Sequence, residues 1–263
     1  MKELTIIVPL TEYKEEYKEM YDRSLNSVLE ADVREETSLI FIGPKSAIDV
    51  VKEYNFGGRE VLHIENNKTV DTAFQINKAV KDVKTDYFSV LEFDDNFTSF
   101  WFDEVEKYIK HDENTSLFLP INELWDFNNK ERGSFAYCNE PVWSSSFSEE
   151  MGYIDEQCLR NHYNFIVSGG VFRKSDFLSV GGLKASIKVF FWYELLLRLC
   201  HNGKRVFVVP KVGYEHCVNR PNALSHEYMM LEQDEIDFWF TTAQEEYVYK
   251  TDRKKKYEVT PNE

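Results

Sequence analysis

Three carboxylates fall within four positions of SVLEFDDNF, residues 89–97: Glu92, Asp94 and Asp95, at the end of an apolar, strand-like run. Acids this close repel one another, so something must offset the repulsion. A hard divalent cation bound through carboxylate oxygens would do so. The alternative is structural, an acidic turn in which Asp95 or Asn96 caps the helix expected over SFWFDEVEKYI.

The elements before the cluster decide where it points. LTIIVPL (4–10) is a continuous apolar run, as expected of a strand buried on both faces, and Tyr17, Tyr21, Leu25 and Val28 then recur at helical spacing within 13–29. SLIFIG (38–43) closes at Gly43-Pro44 and is followed by SAIDVVKEY (46–54), a short helix opening on a serine cap. EVLHIE (60–65), TVDTAFQINKAVKDV (69–83) and DYFSVLEF (86–93) add a third strand, a third helix and a fourth strand. This alternation predicts an α/β fold, a mostly parallel central sheet with helices on both faces. Ligands of such sheets bind beyond the carboxyl ends of the strands, where the cluster falls.

Composition narrows the chemistry. A chain of 263 residues can bury a large core and reads as a single domain. Its net charge of −15 disfavours an electrostatic grip on nucleic-acid phosphates and suits small molecules or metals. No apolar stretch reaches the ~20 residues that span a bilayer, and the β-branched run of MKELTIIVPL begins too early for a signal peptide, so a soluble, cytoplasmic protein is expected. Cys138, Cys158, Cys200 and Cys217 are widely spaced, without a CxxC pair, and are expected to be reduced structural thiols.

Taken in order, IIVPL, TAFQINKAVKDVKTDYFSVLEFDD, VSGGVFRKSDFLSVGGL, YELLLRLCHNGKRVFVVP and YEHCVNRPNALSH resemble the motifs of a family 2 glycosyltransferase with the GT-A (Rossmann-like) fold, over residues 1–226. The resemblance implies a nucleotide-sugar-binding half over 1–125 and an acceptor-side half over 126–226. The implied activity moves a hexose-like sugar from a nucleoside-diphosphate sugar to an acceptor hydroxyl with inversion. Glu92-Phe93-Asp94-Asp95 is similar to the family's D-x-D-D motif, which implies Mn²⁺ or Mg²⁺ on Asp94, Glu92 toward the nucleotide ribose or the metal, and Asp95 as a second metal or sugar contact. Such a cation would bridge the two phosphates of the leaving group. His216 occupies the family's histidine position as a further ligand, with His226 as its competitor. Pro9, Thr11 and Glu12 resemble the segment that lies along the nucleotide, although its aromatic and Asn are out of register here, and Asp71 and Gln75 resemble the helix that faces it. Gly169 and Gly170 match the small residues that let the backbone pass close to the donor. Asp71 has an alternative role as a helix-start carboxylate, and Gly181-Gly182 as a turn.

One departure stands out. Where the family places an acid pair, FFWYELLLR has Phe191 and Trp192, and neither can take a proton from an acceptor hydroxyl. Glu194 is the nearest candidate base, with Asp155 and Glu156 of GYIDEQ as alternatives; Glu194 is also spaced to pair with Arg198 at i,i+4. The missing acid admits a second class of protein, an inactive sugar-nucleotide-binding or scaffold module. A nucleotidyltransferase matches less well, because PLTEYKEEY lacks the glycines of a phosphate loop. Glycan, protein, lipid-linked glycan and modified nucleic-acid base are all open as acceptors. Residues 227–263 read as an amphipathic helix and a basic tail containing DRKKKY, the helix either packing on the domain or pairing two copies as a homodimer.

Overall fold

A computed structural model of the chain describes residues 4–31, 37–69, 71–135, 138–187, 190–220, 233–244 and 247. The first half follows the alternation read from the sequence. β1 (Leu4–Pro9), α1 (Lys18–Glu30), β2 (Ser38–Gly43), α2 (Lys45–Val51), β3 (Val61–Glu65), α3 (Thr72–Ala79) and β4 (Tyr87–Val90) come in turn. β1 pairs in parallel with β2 and with β4, and β2 with β3. Ile6, Val8, Leu39 and Phe41 pack in one core with the buried residues of α1 and α2, while Ile7, Ile40, Ile42 and Val90 enter a second core with α3. Burial on both faces is why these strands read as continuous apolar runs.

The second half departs from simple alternation. It runs through β5 (Asn96–Phe97), α4 (Trp101–His111), the long β6 (Thr115–Asp126), β7 (Glu131–Phe135), β8 (Tyr153–Ile154) and α5 (Glu156–Asn161). There follow β9 (Val171–Arg173), α6 (Lys174–Ser179), α7 (Phe191–His201), β10 (Arg205–Val218) and α8 (Gln233–Gln244). β9 inserts antiparallel between β4 and β6, β6 runs parallel to β10, and β5 closes the far edge antiparallel to β10. Among the described residues the sheet order is β3-β2-β1-β4-β9-β6-β10-β5, with β7 on β6 and β8 on β10. α8 lies back on α7, where the Phe240 ring stacks 5.5 Å from Tyr193, and Phe238 remains exposed.

No described helix is long and apolar enough to cross a membrane. The four cysteines are free thiols, as expected. His226 and the DRKKKY run lie outside the described residues.

Candidate active site

The acidic cluster is placed by a turn that α1 pins. Leu91 still donates its N–H to the Ile7 carbonyl (2.9 Å), after which the chain folds so that Asp95 N–H donates to the Glu92 carbonyl (3.1 Å). The Phe93 ring lies 5.6 Å from Tyr17 and 5.2 Å from Tyr21, and the Ser24 hydroxyl donates to the Glu92 carbonyl at 3.1 Å. With Phe93 drawn into the core, Glu92 and Asp94 line a small cleft that also takes in Pro9, Thr11, Thr72 and Gln75. This is the carboxyl end of β1 and β4. Asp95 is not a helix cap, since α4 starts at Trp101 with Phe100 before it and no side-chain cap. Instead Asp95 is buried, accepts the Cys217 N–H at 2.7 Å and faces His216 Nδ1 at 3.1 Å.

Two cations answer the repulsion. Arg220, just beyond β10, donates Nε to Asp94 Oδ2, and its guanidinium lies 4.9 Å over the Phe93 ring. Asp94 Oδ1 is buried without a partner. Glu92 accepts the Ser168 hydroxyl on Oε1, and its N–H donates to the Tyr214 hydroxyl at 3.1 Å. Burial first, then the Asp95 and Asp94 charges, push the Glu92 carboxyl up to about 7. Asp94 is raised by burial and by Asp95, against the pull of Arg220. For His216 burial works downward, but the Asp95 carboxylate and then Glu92 carry it up to about 9.

Among the described residues no three His, Cys, Asp or Glu side chains form a ready-made cation site. The donors fit a site that substrate completes. Asp94 keeps one orphaned carboxylate oxygen, and the Asp95 contact at Nδ1 leaves His216 Nε2 as the open ring nitrogen. Mg²⁺ is commonly held by one or two carboxylates plus substrate phosphates. The cleft measures only about 20 Å³, too small for a diphosphate until its lining, Arg220 included, rearranges.

Several expected site residues have other occupations. Asp71 caps α3, its Oδ1 accepting the Phe74 N–H at 2.7 Å. Gln75 donates Nε2 to the Leu10 carbonyl at 3.0 Å, leaving its Oε1 buried and unpartnered at the cleft. Glu12 is exposed and does not line the cleft. Gly169 has φ 78°, and the Tyr214 ring fills the place of a Cβ there; at Gly170 a Cβ would stand 2.9 Å from the Leu119 side chain. Close packing against Tyr214 and Leu119 thus requires glycine at both positions. Gly181 and Gly182, at φ 90° and 69°, form the turn.

The candidate bases each have partners in this fold. Glu194 is 1% exposed and accepts from Arg198 Nε and Nη2 at 3.0 and 2.6 Å and from the Tyr247 hydroxyl at 2.8 Å, with Lys184 Nζ at 2.9 Å. These contacts anchor α7 through Glu194. Asp155 caps α5, accepting the Cys158 and Glu149 N–H groups at 2.8 and 2.7 Å. It follows Ile154, which pairs with Val206, whereas the cluster meets β10 at His216. On β6 these registers are Leu117 and Leu124, roughly 23 Å apart at strand rise. Glu156 shares the distant end, 3.8 Å from His201. Phe191 is buried and Trp192 stacks 5.9 Å from Phe172, so the aromatics standing in for the acid pair build core.

Arg220, Ser168 and Tyr214 join the site only in the folded chain. Arg220 was signalled by its place four residues after His216, a lone cation closing YEHCVNR in an acid-rich chain. For Ser168 and Tyr214, whose roles depend on the chain before β9 and on β10 reaching the turn after β4, no local signal exists.

No protein-family model matches the chain, and no curated protein matches it in sequence. Solved structures match its fold, and the fold they share is GT-A. S. aureus TarS 1-349 in complex with UDP superposes with a TM-score of 0.61 at 14% identity, covering 92% of this chain and 70% of that one. TarS 1-349 in complex with UDP-GlcNAc gives 0.62 at 16%, covering 85% and 60%. The mannosyltransferase PcManGT from Pyrobaculum calidifontis, in complex with GDP-Man and Mn²⁺, gives 0.61 at 13%, covering 84% and 58%.

Proposed function

We propose that this chain is a glycosyltransferase of the family 2 kind, transferring a sugar from a nucleoside-diphosphate donor to an acceptor hydroxyl with inversion. The observation that carries the proposal is the orphaned, buried Asp94 Oδ1 at the carboxyl ends of β1 and β4, beside Glu92 and facing Arg220. The nucleotide-sugar complexes of the structural neighbours support it, as does the Mn²⁺ in one of them. Pro9, Thr11 and the free Oε1 of Gln75 would receive the nucleotide, and Asp94, Glu92 and His216 would hold Mn²⁺ or Mg²⁺, with Asp95 keeping the His216 ring in place. Such a cation supplies neutralisation of the departing diphosphate. Arg220, once off Asp94, is a bidentate donor suited to the same phosphates.

One observation favours a second reading. Glu194, Asp155 and Glu156 are all engaged away from the cleft, which suits a sugar-nucleotide-binding module without transfer. Thermal melts with UDP-, GDP- and dTDP-sugars, with and without Mn²⁺, test both. At a ligand concentration of 100 Kd, binding should add roughly 2.7 kcal/mol of stability. Asp94→Ala should abolish the Mn²⁺-dependent part, and its unliganded melting temperature should fall because Arg220 loses its buried counter-charge. No stabilisation by any sugar nucleotide would overturn the site. Donor hydrolysis or transfer in the stabilised complex selects the transferase, and its absence across acceptor classes selects the binding module.

A further inference from the structure

A cavity of about 570 Å³ lies on the face of the β5–β10 ribbon opposite the acidic cluster. The strand register explains the separation. Tyr214 pairs with Phe97 and Glu215 with Asn96, and successive side chains alternate between faces. Asp95 and His216 turn toward the cluster, so Asn96 and Glu215 turn away from it, into the cavity.

There the polar groups are already arranged. Asn96 donates Nδ2 to Glu215 Oε2 at 3.0 Å, Arg23 of α1 donates Nη2 to the same oxygen at 3.3 Å, and the Arg23 guanidinium lies 3.5 Å over the Trp125 ring. Asn96 is 6% exposed, yet its Oδ1 has no hydrogen-bond partner. A buried amide oxygen left unpaired is a cost that a ligand donor removes. Asn26, Glu30 and Glu123 also line the cavity and make no side-chain hydrogen bond or ion pair among the described residues. At the rim the Phe100 ring is 46% exposed.

Charge and shape select the ligand. Glu30, Glu123 and Glu215 outnumber Arg23, which disfavours phosphate or a nucleotide, and the amides, carboxylates and hydroxyls alternate with Phe97, Phe100 and Val212, which suits a ligand with both polar and apolar faces. Sugar hydroxyls donate to carboxylate and amide oxygens and accept from a guanidinium, while the C–H face of a pyranose suits the negative face of an aromatic ring. The volume is within the roughly 300–1,000 Å³ typical of ligand pockets. We propose that this cavity is a binding site for a neutral oligosaccharide segment, separate from the acidic cluster and independent of whether that cluster transfers sugar.

Saturation-transfer NMR on the full chain tests this with maltose, cellobiose and N,N′-diacetylchitobiose as probes, and with spermidine and inorganic phosphate as charged controls. At least one disaccharide should receive saturation. Phe100→Ser and Glu123→Ala, both at partly or well exposed positions, should weaken it at least tenfold without lowering the melting temperature. Stabilisation by sugar nucleotides should be unchanged in both variants, so failure of the cavity and failure of the acidic cluster are read separately. Silence from all three disaccharides, undiminished binding in both variants, or loss of disaccharide binding in Asp94→Ala would overturn the proposal. So would spermidine binding that the variants abolish while the disaccharides stay silent, which would make the cavity a cation site.

Discussion

Asp94 and Arg220 are both buried, and removing one leaves the other a charge without water. Arg220→Ala should therefore cost about 3–5 kcal/mol in metal-free buffer, the usual result of breaking one side of a buried pair. If Asp94 is a cation ligand, Mn²⁺ takes over the role of the lost guanidinium, and the variant should gain more from Mn²⁺ than the wild type does. Equal Mn²⁺ shifts in the two proteins would remove Asp94 from the cation site. The pH dependence at this scale has a definite sign. Glu92 holds its proton to about pH 7 and His216 to about pH 9, both above the values of these groups in an unfolded chain. The folded protein thus binds more protons than the unfolded one across this range, and stability present at low pH is lost as pH rises. Urea midpoints of the metal-free protein should fall between about pH 5 and pH 9, and Glu92→Gln should flatten the part of the decline below about pH 7. A midpoint that rises with pH would contradict both assignments.

At the scale of elements, α7 shows how a catalytic expectation and a structural one separate. Glu194 is held by Arg198 from its own helix and by Lys184 and Tyr247 from elsewhere in the chain. Glu194→Gln should lower stability by about 3 kcal/mol, because two cations lose their buried counter-charge, and should leave sugar-nucleotide stabilisation unchanged. A fall in turnover of ~10²-fold with stability intact would restore Glu194 as the base. The sequence could announce its pairing with Arg198 through the i,i+4 spacing, but not the burial, which depends on Tyr247 folding back over α7. The same limit recurs elsewhere. β1 and β2 were legible because parallel strands covered on both faces carry unbroken apolar runs, β3 because EVLHIE falls between two helices in the alternation, and the acidic cluster because it ends the fourth strand. β4 stops at Val90, short of the expected Phe93, because side-chain apolarity cannot distinguish strand from a buried turn. Asp71 was legible in both of its roles, and the fold shows the cap, its Oδ1 accepting the Phe74 N–H. The antiparallel insertion of β9 left no local trace, since three residues carry too little periodicity to register.

For the molecule as a whole, the cluster depends on strands far apart in sequence. Asp95 is held by Cys217 and His216, Asp94 by Arg220, and Glu92 by Ser168 and Tyr214, so every acid in the cluster is partnered from beyond residue 160. β4 in turn has β1 on one side and β9 on the other, and the core on the α3 face runs from Ile7 to Tyr247. A nucleotide-sugar half over 1–125 would thus keep the acids and lose every group that satisfies them. It would also expose the free edge of β4 and the apolar face of α3, which a fragment of this size has little surplus stability to tolerate. The fragment 1–125 should therefore show no cooperative thermal transition and no Mn²⁺-dependent stabilisation by sugar nucleotides, while the full chain melts in a single step in which near-ultraviolet and far-ultraviolet circular dichroism coincide. A fragment that folds and binds would make the first half an autonomous module, with His216 and Arg220 dispensable for the nucleotide. Two separated transitions in the full chain would place a boundary within the sheet, at the antiparallel contact of β4 with β9, where the strand direction first reverses.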